Sequence, residues 1–294
     1  MTAERTSVGV VGLGAMGLGM ATALAAKGFA VKGFDLSKAR RALAVDGGVS
    51  PVASLDEVFV DTDFIVFSLP TAKDVAAVVE ANLDALKSAG RRVVIIDTST
   101  SEPDVSRDLA AALADIGHGF IDAPVSGGPA GAASGKLTIM IGGSDADIAV
   151  AGPVIDAMSA KALHVGASGA GNVAKLVNNL LAAAHMVTTG EGLKLALAAG
   201  LDPEAALDVL NAASGKSMIS EVHFPTWVMN GRFDSGFTMG LMRKDVRLAS
   251  ELAARTGTDL PLSGAVAKLW AESPLDNAED FTRMGTFRPV ANDN

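Results

Sequence analysis

The sequence predicts an α/β domain with a doubly wound parallel sheet over residues 1–166, followed by an all-α domain over residues 167–294, linked by one long helix. Three observations predict it. Short apolar runs rich in β-branched residues alternate with helical patterns as far as Val165. The first of these runs ends on a glycine-rich turn. From Ser168 the strand signals stop and helical periodicity alone continues.

Val8 to Val11 is the first apolar run, and it ends at Gly12-Leu-Gly-Ala-Met-Gly17. A helical pattern follows through Met16, Met20, Ala23 and Leu24, with Lys27-Gly28 as its stop. Ala30 to Phe34 is the second strand, ending on Asp35. Strand, glycine turn, helix, strand and acid together form a Rossmann-type dinucleotide pattern. Gly12 permits the tight turn, Gly14 lets the backbone approach a pyrophosphate, and Gly17 lets the helix lie close on the sheet. The helix N-terminus offers free N–H groups and the positive end of its dipole to phosphate. Asp35 can accept both ribose hydroxyls of the adenosine. Its carboxylate would repel a 2′-phosphate, so NAD is expected rather than NADP. Leu36 stands where an arginine would suit NADP, although Arg40 and Arg41 are near enough to bend toward a phosphate.

The alternation continues. Asp63 to Leu69 is a buried strand ending at Pro70-Thr71, Ala72 to Lys87 is helical, and Arg92 to Ile96 is a strand followed by Asp97-Thr-Ser-Thr-Ser-Glu-Pro103. Ligands of open α/β sheets lie at the carboxyl ends of the strands. Leu69, Pro70 and the hydroxyl cluster at 98–101 are therefore expected beside the cofactor. The same cluster also reads as the N-cap of a helix near 102–116. A strand at Phe120 delivers Asp122, and Ser126-Gly127-Gly128 follows a proline. Two glycines after a serine free two N–H groups and suit a carboxylate-sized anion, though an ordinary glycine-rich turn has the same pattern. Gly135 to Gly143 holds a further strand, Ser144-Asp145 starts a helix, and Ala162 to Val165 closes the sheet.

The second domain begins with the stretch Ser168 to Asn179. Lys175 and Asn179 lie one turn apart on one helical face. Val173, Leu176, Val177, Leu180 and Leu181 surround them. A lysine in that company either snorkels to water or is held for use. The helix is expected to reach about Ala199, roughly 45 Å at the usual rise. Gly200 ends it, and Asp202-Pro203 opens the next. Helical patterns follow at 203–212, 217–230, 239–256 and 261–271. Lys244-Asp245 interrupts an apolar helix start and by itself reads equally as a solvated charge pair or as a functional one. The tail from Asp276 is polar and aperiodic, and is expected to be partly ordered at best or used in subunit contacts.

Composition narrows the chemistry. The 294 residues are 49% hydrophobic and 19% charged, which suits a globular chain of about two domains. The absence of cysteine excludes disulfides, zinc–thiolate sites and thiol catalysis. His118, His164, His185 and His223 have no metal-ligand spacing, so no metal is expected. A net charge of −9 disfavours nucleic acid as a partner. No apolar run is long enough to span a bilayer and the N-terminus has no apolar signal core, so a cytoplasmic protein is expected.

Four motifs occur in order, and with them the chain resembles the β-hydroxyacid dehydrogenase family, that of 3-hydroxyisobutyrate dehydrogenase. They are Gly12 to Met20, Asp122 to Gly128, Gly169 to Asn179, and Lys244-Asp245 with Leu248-Ala249. The resemblance spans nearly the whole chain. It implies that Lys175 is catalytic, that Ser126, Gly127 and Gly128 hold a substrate carboxylate, and that Asn179 binds the substrate. It implies that Gly12, Leu13, Gly14, Ala15, Met16, Gly17, Asp35, Leu69, Pro70 and Thr100 contact NAD, and that Lys244 closes over the nicotinamide side. A homodimer or homotetramer built through the helical domain is also implied.

The expected reaction is oxidation of a small 3-hydroxy acid by hydride transfer to NAD. The chain has no tyrosine and no suitably placed histidine, which leaves Lys175 as the acid/base. Partial burial and a cationic nicotinamide would both favour its neutral form. The main alternative is an NADPH-dependent reductase of glyoxylate or small semialdehydes, against which Asp35 argues. An imine reductase, or a catalytically inactive relative, would be expected to lack Lys175. Decarboxylating phosphogluconate dehydrogenases have a much larger helical domain.

Overall fold

The strands end where the sequence places polar or glycine residues, and the sheet arranges those ends along one edge. The computed structural model describes residues 6–288. Six strands run parallel: β1 (Ser7–Val11), β2 (Ala30–Phe34), β3 (Ser50–Pro51), β4 (Phe64–Phe67), β5 (Val94–Asp97) and β6 (Gly119–Asp122). Their spatial order is β3-β2-β1-β4-β5-β6. The order reverses at β1, so the crevice between β1 and β4 is the topological switch point.

Between and after them come α1 (Ala15–Ala26), α2 (Lys38–Ala44), α3 (Asp56–Phe59), α4 (Ala72–Ala81), α5 (Leu83–Ser88) and α6 (Pro103–Asp115). The helix expected over 72–87 is thus two helices. They meet at Asn82, whose side chain donates to the carbonyl of Val78 at 2.8 Å. A sequence pattern with continuous apolar spacing did not disclose that break.

Alternate strand residues feed two separate cores, as a pleated sheet requires. Val8, Val10, Val66, Val94, Ile96 and Ile121 pack with Met20 and Leu24 of α1. Val11, Ile65, Phe67, Ile95 and Phe120 pack with Val75, Val79 and Leu113 of the helices on the opposite face. Gly9 is needed on the second face, because a Cβ there would lie 2.3 Å from Val58 Cγ1.

Past β6 the direction changes. β7 (Val125–Ser126) leads to a short α7 (Gly128–Ala133), and β8 (Leu137–Gly142) returns antiparallel to both β6 and β7. The pairs Asp122 with Gly142, Val125 with Ile139, and Ser126 with Thr138 share one register. The carbonyl of Pro124 accepts from Met140 N at 3.1 Å between them. β7 therefore continues β6, interrupted only where Pro124 has no N–H to give. α8 (Asp145–Met158) then leads to β9 (Ser159–Gly166), which pairs parallel with β8.

The chain divides into two compact units after Lys175. α9 (Ala170–Ala198) runs across that division and, at about 1.5 Å per residue, is about 43 Å long. The second unit contains the remainder of α9, α10 (Pro203–Ala212), a π-helix (Ile219–Val228), α11 (Met239–Thr256), α12 (Pro261–Glu272) and a 3₁₀ turn (Phe281–Gly285). Asp202 caps α10 by accepting from Ala205 N, with Pro203 at its first position. The core gathers Leu180, Met186, Leu193, Phe224, Met242 and Trp270. The Trp270 indole donates to the Ala183 carbonyl at 3.2 Å.

The expectation of a poorly ordered tail from Asp276 is corrected as far as Arg288. Phe281, Thr282 and Phe287 are buried, Trp270 stacks on Phe281, and Asp280 pairs with Thr238. Two phenylalanines in an otherwise polar stretch hold it to the helical core. The last part of the tail, from residue 289, lies outside the described residues. Among the described residues no helix is long and apolar enough to cross a membrane.

Candidate active site

The glycine turn after β1 is built by close approach. Gly12 has φ +91°, and a Cβ there would lie 2.2 Å from the Ser68 carbonyl at the end of β4. Gly17 is needed even more: its Cβ would lie 1.9 Å from the Gly12 carbonyl. The turn itself, rather than the sheet at large, is what α1 presses upon. Gly14 is the N-cap of α1, with no side chain capping it and no acid in the first turn. Among the described residues, a Cβ on Gly14 would meet only Arg40 Nη1, at 4.0 Å. An uncapped helix N-terminus beside an unfilled cradle fits a dinucleotide pyrophosphate. Ala15 is exposed and Met16 half-buried beside it, whereas the Leu13 side chain is buried and offers only its backbone to the turn.

Asp35, 8% exposed, stands at the end of β2. It accepts from Leu13 N at 2.9 Å and from Ser37 N at 2.8 Å. Arg40 lies 3.5 Å from the same oxygen that takes Leu13. Burial pushes this carboxyl up, but the two backbone N–H groups and the guanidinium outweigh it and hold it below the ordinary aspartate range. The acid is therefore ionised and braces the glycine turn. Leu36 is fully turned to solvent. Arg41 donates to the Asp35 carbonyl and lies over the Phe34 ring.

At the ends of β4 and β5, Leu69 N donates to Ser99 Oγ at 3.0 Å. Leu69 and Thr100 are half-buried and Pro70 is exposed. The hydroxyl cluster does not cap α6 as expected. The N-cap is Glu102, with no side-chain bond and with Pro103 at the first position. A proline at that first position removes one of the helix's unpaired N–H groups and fixes a helical φ. Ser99 and Ser101 are spent elsewhere: Ser99 on Leu69 N, and Ser101 through its N–H on Asn172 Oδ1 at 3.0 Å.

Ser126 ends β7, and Gly127 and Gly128 follow at φ +131° and +64°. Both glycines are exposed, and a Cβ on Gly128 would have no described residue within 4 Å. The sequence suggested a turn here; the structure places Ser126 in a strand and starts α7 at Gly128.

Lys175 is 8% exposed on α9, in the same unit as the glycine turn. Its neighbours are not uniformly apolar and buried: Leu176 and Leu180 face the core, whereas Val177 and Leu181 are exposed. One turn on, Asn179 is buried. Its Nδ2 donates to Asp245 Oδ2 at 2.6 Å and its Oδ1 accepts from Asn178 at 3.0 Å. Lys244 Nζ stands 3.4 Å from the other oxygen of Asp245. Lys244-Asp245 is accordingly not the solvated pair it resembles in sequence, since Asp245 is buried.

Sequence reasoning gave no role to three residues that hold this region together. Asp122 is buried at the end of β6 and accepts from Gly169 N at 2.7 Å and Asn172 N at 3.0 Å. Its carboxyl is raised by burial, with those hydrogen bonds opposing. Asp97 lies beside it in register at the end of β5. Burial, together with the Asp122 charge, pushes Asp97 up to about 7 against hydrogen bonds from Ser99. Asn172 is the third. The available signal was an aspartate closing each of two apolar strand runs.

Comparison with known proteins places this geometry. The NAD-binding domain of 6-phosphogluconate dehydrogenase, as a family, matches residues 7–166. The NAD-binding domain of NADP-dependent 3-hydroxyisobutyrate dehydrogenase matches residues 169–286. Among relatives, 2-(hydroxymethyl)glutarate dehydrogenase of Eubacterium barkeri is 36% identical over 90% of this chain and 87% of its own. Mouse mitochondrial 3-hydroxyisobutyrate dehydrogenase is 34% identical over 91% and 82%. The solved 3-hydroxyisobutyrate dehydrogenase of Mycobacterium tuberculosis with L-serine superposes with a TM-score of 0.87 at 33% identity, covering 96% of this chain and 98% of that one. The chain belongs to the β-hydroxyacid dehydrogenase family, that of 3-hydroxyisobutyrate dehydrogenase. Its relatives are oxidoreductases, and its first domain is an NAD(P)-binding one. Imine reductases at 16–20% identity share the fold alone.

Proposed function

We propose that this protein oxidises a small 3-hydroxy acid with NAD, and that Lys175 moves the hydroxyl proton. The observation that carries the reading is a buried lysine on a helix pinned within the same unit as the glycine turn. The substrates named for the relatives, 3-hydroxyisobutyrate and 2-(hydroxymethyl)glutarate, and the serine named with one solved structure share one core. Each is HOCH₂–CH(R)–COO⁻, differing only in R. A 2-substituted 3-hydroxypropionate is therefore the substrate class. Oxidation yields the corresponding semialdehyde.

The residues divide the work as follows. Gly12 to Gly17 and the α1 N-terminus hold the pyrophosphate, and Asp35 takes the adenosine ribose. Leu69, Pro70 and Thr100 flank the nicotinamide side, with Lys244 closing over it. Bound NAD supplies the hydride acceptor. Ser126, Gly127 and Gly128 receive the carboxylate, Asn179 orients the substrate, and Lys175 accepts the hydroxyl proton during oxidation. In the reverse direction its ammonium donates to the carbonyl oxygen and stabilises the developing alkoxide. Exposed Val177, Leu181 and Leu195 on α9 support a homodimer or homotetramer.

One observation favours the second reading, NADPH-dependent reduction of glyoxylate or small semialdehydes. Arg40 neutralises Asp35 and stands beside the cradle of Gly14. Asp35 outweighs it here because the carboxylate is the buried partner.

The test is Lys175→Ala assayed with a panel of 2-substituted 3-hydroxypropionates. We expect kcat to fall by about 10³-fold or more, in line with loss of a general base with its positioning, while NAD titration is unchanged. Turnover near that of the unaltered protein removes the assignment.

A further inference from the structure

One hydrogen-bond chain within the first unit joins the segments that flank the proposed reaction. Leu69 N–H donates to Ser99 Oγ, and Ser99 N–H donates to Asp97 Oδ1 at 3.0 Å. Ser101 Oγ reaches Asp97 Oδ2 at 3.5 Å, and Ser101 N–H donates to Asn172 Oδ1. Asn172 Nδ2 donates to Ser106 Oγ at 2.9 Å, and its backbone N–H donates to Asp122. From these bonds we infer that Asn172 is a positioning residue for Lys175. It ties the 98–101 loop and the first turns of α6 to α9, and so fixes the lysine against the nicotinamide side.

Asp122 sets how far α9 advances toward the sheet. It takes two N–H groups of the helix start, and Gly171 seats the helix against the strands. A Cβ on Gly171 would lie 2.5 Å from the Met140 carbonyl and 2.6 Å from the Asp122 carbonyl. A single carboxylate at the end of a helix still allows the helix to roll. Asn172 removes that freedom, because its side chain grips partners 66 and 71 residues away. It is wholly buried, and both ends of its amide are used inside the protein. Lys175 lies three residues further, on the same face. Any roll of α9 is passed directly to the ammonium group, and a displacement of about 1 Å costs on the order of 100-fold in rate.

This inference rests on Lys175 being the acid/base, and the experiment separates the two. Asn172→Ala and Asn172→Asp are made in the full chain beside Lys175→Ala. In Asn172→Ala we expect kcat to fall by about 10- to 100-fold, with the dissociation constant for NAD, read by titration calorimetry, unchanged. In cofactor-free protein, the rate at which an amine-reactive ester labels Lys175, read by peptide mass spectrometry, rises.

Asn172→Asp keeps the shape and adds an acid. The charged groups around that acid are Asp122 of β6, which accepts its backbone N–H, Asp97 of β5, joined to it through Ser101, Arg107 of α6 beside Gly169, and Lys175 on its own helix. Protonated, it mimics the amide, with Ser106 rotating to suit. The ratio of its kcat to that of the unaltered protein therefore rises as pH falls. Merely structural packing would lower Tm and leave both kcat per folded molecule and this ratio unchanged. Wild-type kcat in Asn172→Ala, or a flat ratio in Asn172→Asp, overturns the inference while a dead Lys175→Ala leaves the functional reading intact. If Asn172→Ala does not fold, the Asn172→Asp ratio decides.

Discussion

Asp35 and Asp97 are both buried carboxylates at carboxyl ends of parallel strands, and both accept backbone N–H groups. They titrate in opposite directions. Asp35 has a second N–H donor and the Arg40 guanidinium, and stays below the ordinary range. Asp97 is fully enclosed, with the Asp122 carboxylate in the next strand adding to that burial, and is pushed up to about 7. Burial raises both, but it acts far more strongly on the fully enclosed Asp97, where it outweighs the hydrogen bonds, than on Asp35, where two N–H donors and a guanidinium prevail. The carboxylate proposed to meet ribose hydroxyls is held as an anion. One that joins loop to strand is allowed to carry a proton.

The comparison can be broken most forcefully at Asp97. Its pKa in the folded state lies above that of the unfolded chain. Its share of stability is therefore complete below pH 4 and is lost as pH rises through 7. The loss is on the order of 4 kcal/mol at pH 9. Asp97→Asn removes it. Urea unfolding should find the variant more stable than the unaltered protein at pH 9 and equal to it at pH 4. Equal stability at both pH values would show that Asp97 ionises freely.

Asp35→Arg sharpens the other half. It replaces the proposed ribose acceptor with a guanidinium that donates to a 2′-phosphate, and the ratio of kcat/KM for NADP over NAD should rise by about 100-fold, the worth of one buried charge-assisted contact. An unchanged ratio argues that Asp35 serves only to brace Leu13 and Ser37. Arg40→Ala is the smallest change, because Arg40 is largely exposed. Removing it leaves Asp35 less neutralised, and NADP use should fall by about fivefold or less, as exposed pairs allow. A rise in NADP use would place Arg40 outside the 2′-phosphate region altogether.

Much of the fold was legible because strand ends and helix caps are local. The glycine turn, Asp35, the Asp202-Pro203 start and the Gly200 stop each declare themselves within a few residues. The split at Asn82, the short α7 and the π-helix left no such mark. The tail misled because average polarity hides two phenylalanines that dock on the helical core. The motif residues were legible as types in a pattern, but their attachments were not. Asn172 meets Ser101 and Ser106 only through the fold, and Asp245 reads as a surface charge until α9 and α11 pack. Long-range hydrogen bonds leave no periodicity in one sequence.

The shared register of β6 and β7 along β8 sets a ruler. Asp122, which seats the lysine helix, and Ser126, proposed to receive the substrate carboxylate, lie four residues apart along that one register. Side chains alternate along a strand, so both point to one side. The segment between them can change composition but not length by a single residue. One insertion at Ala123-Pro124 would leave the helix seat untouched and turn Ser126 to the opposite face. The distance between anchor and proposed anion cradle is thus counted in pairs, and only an even insertion there keeps Ser126 on the same face.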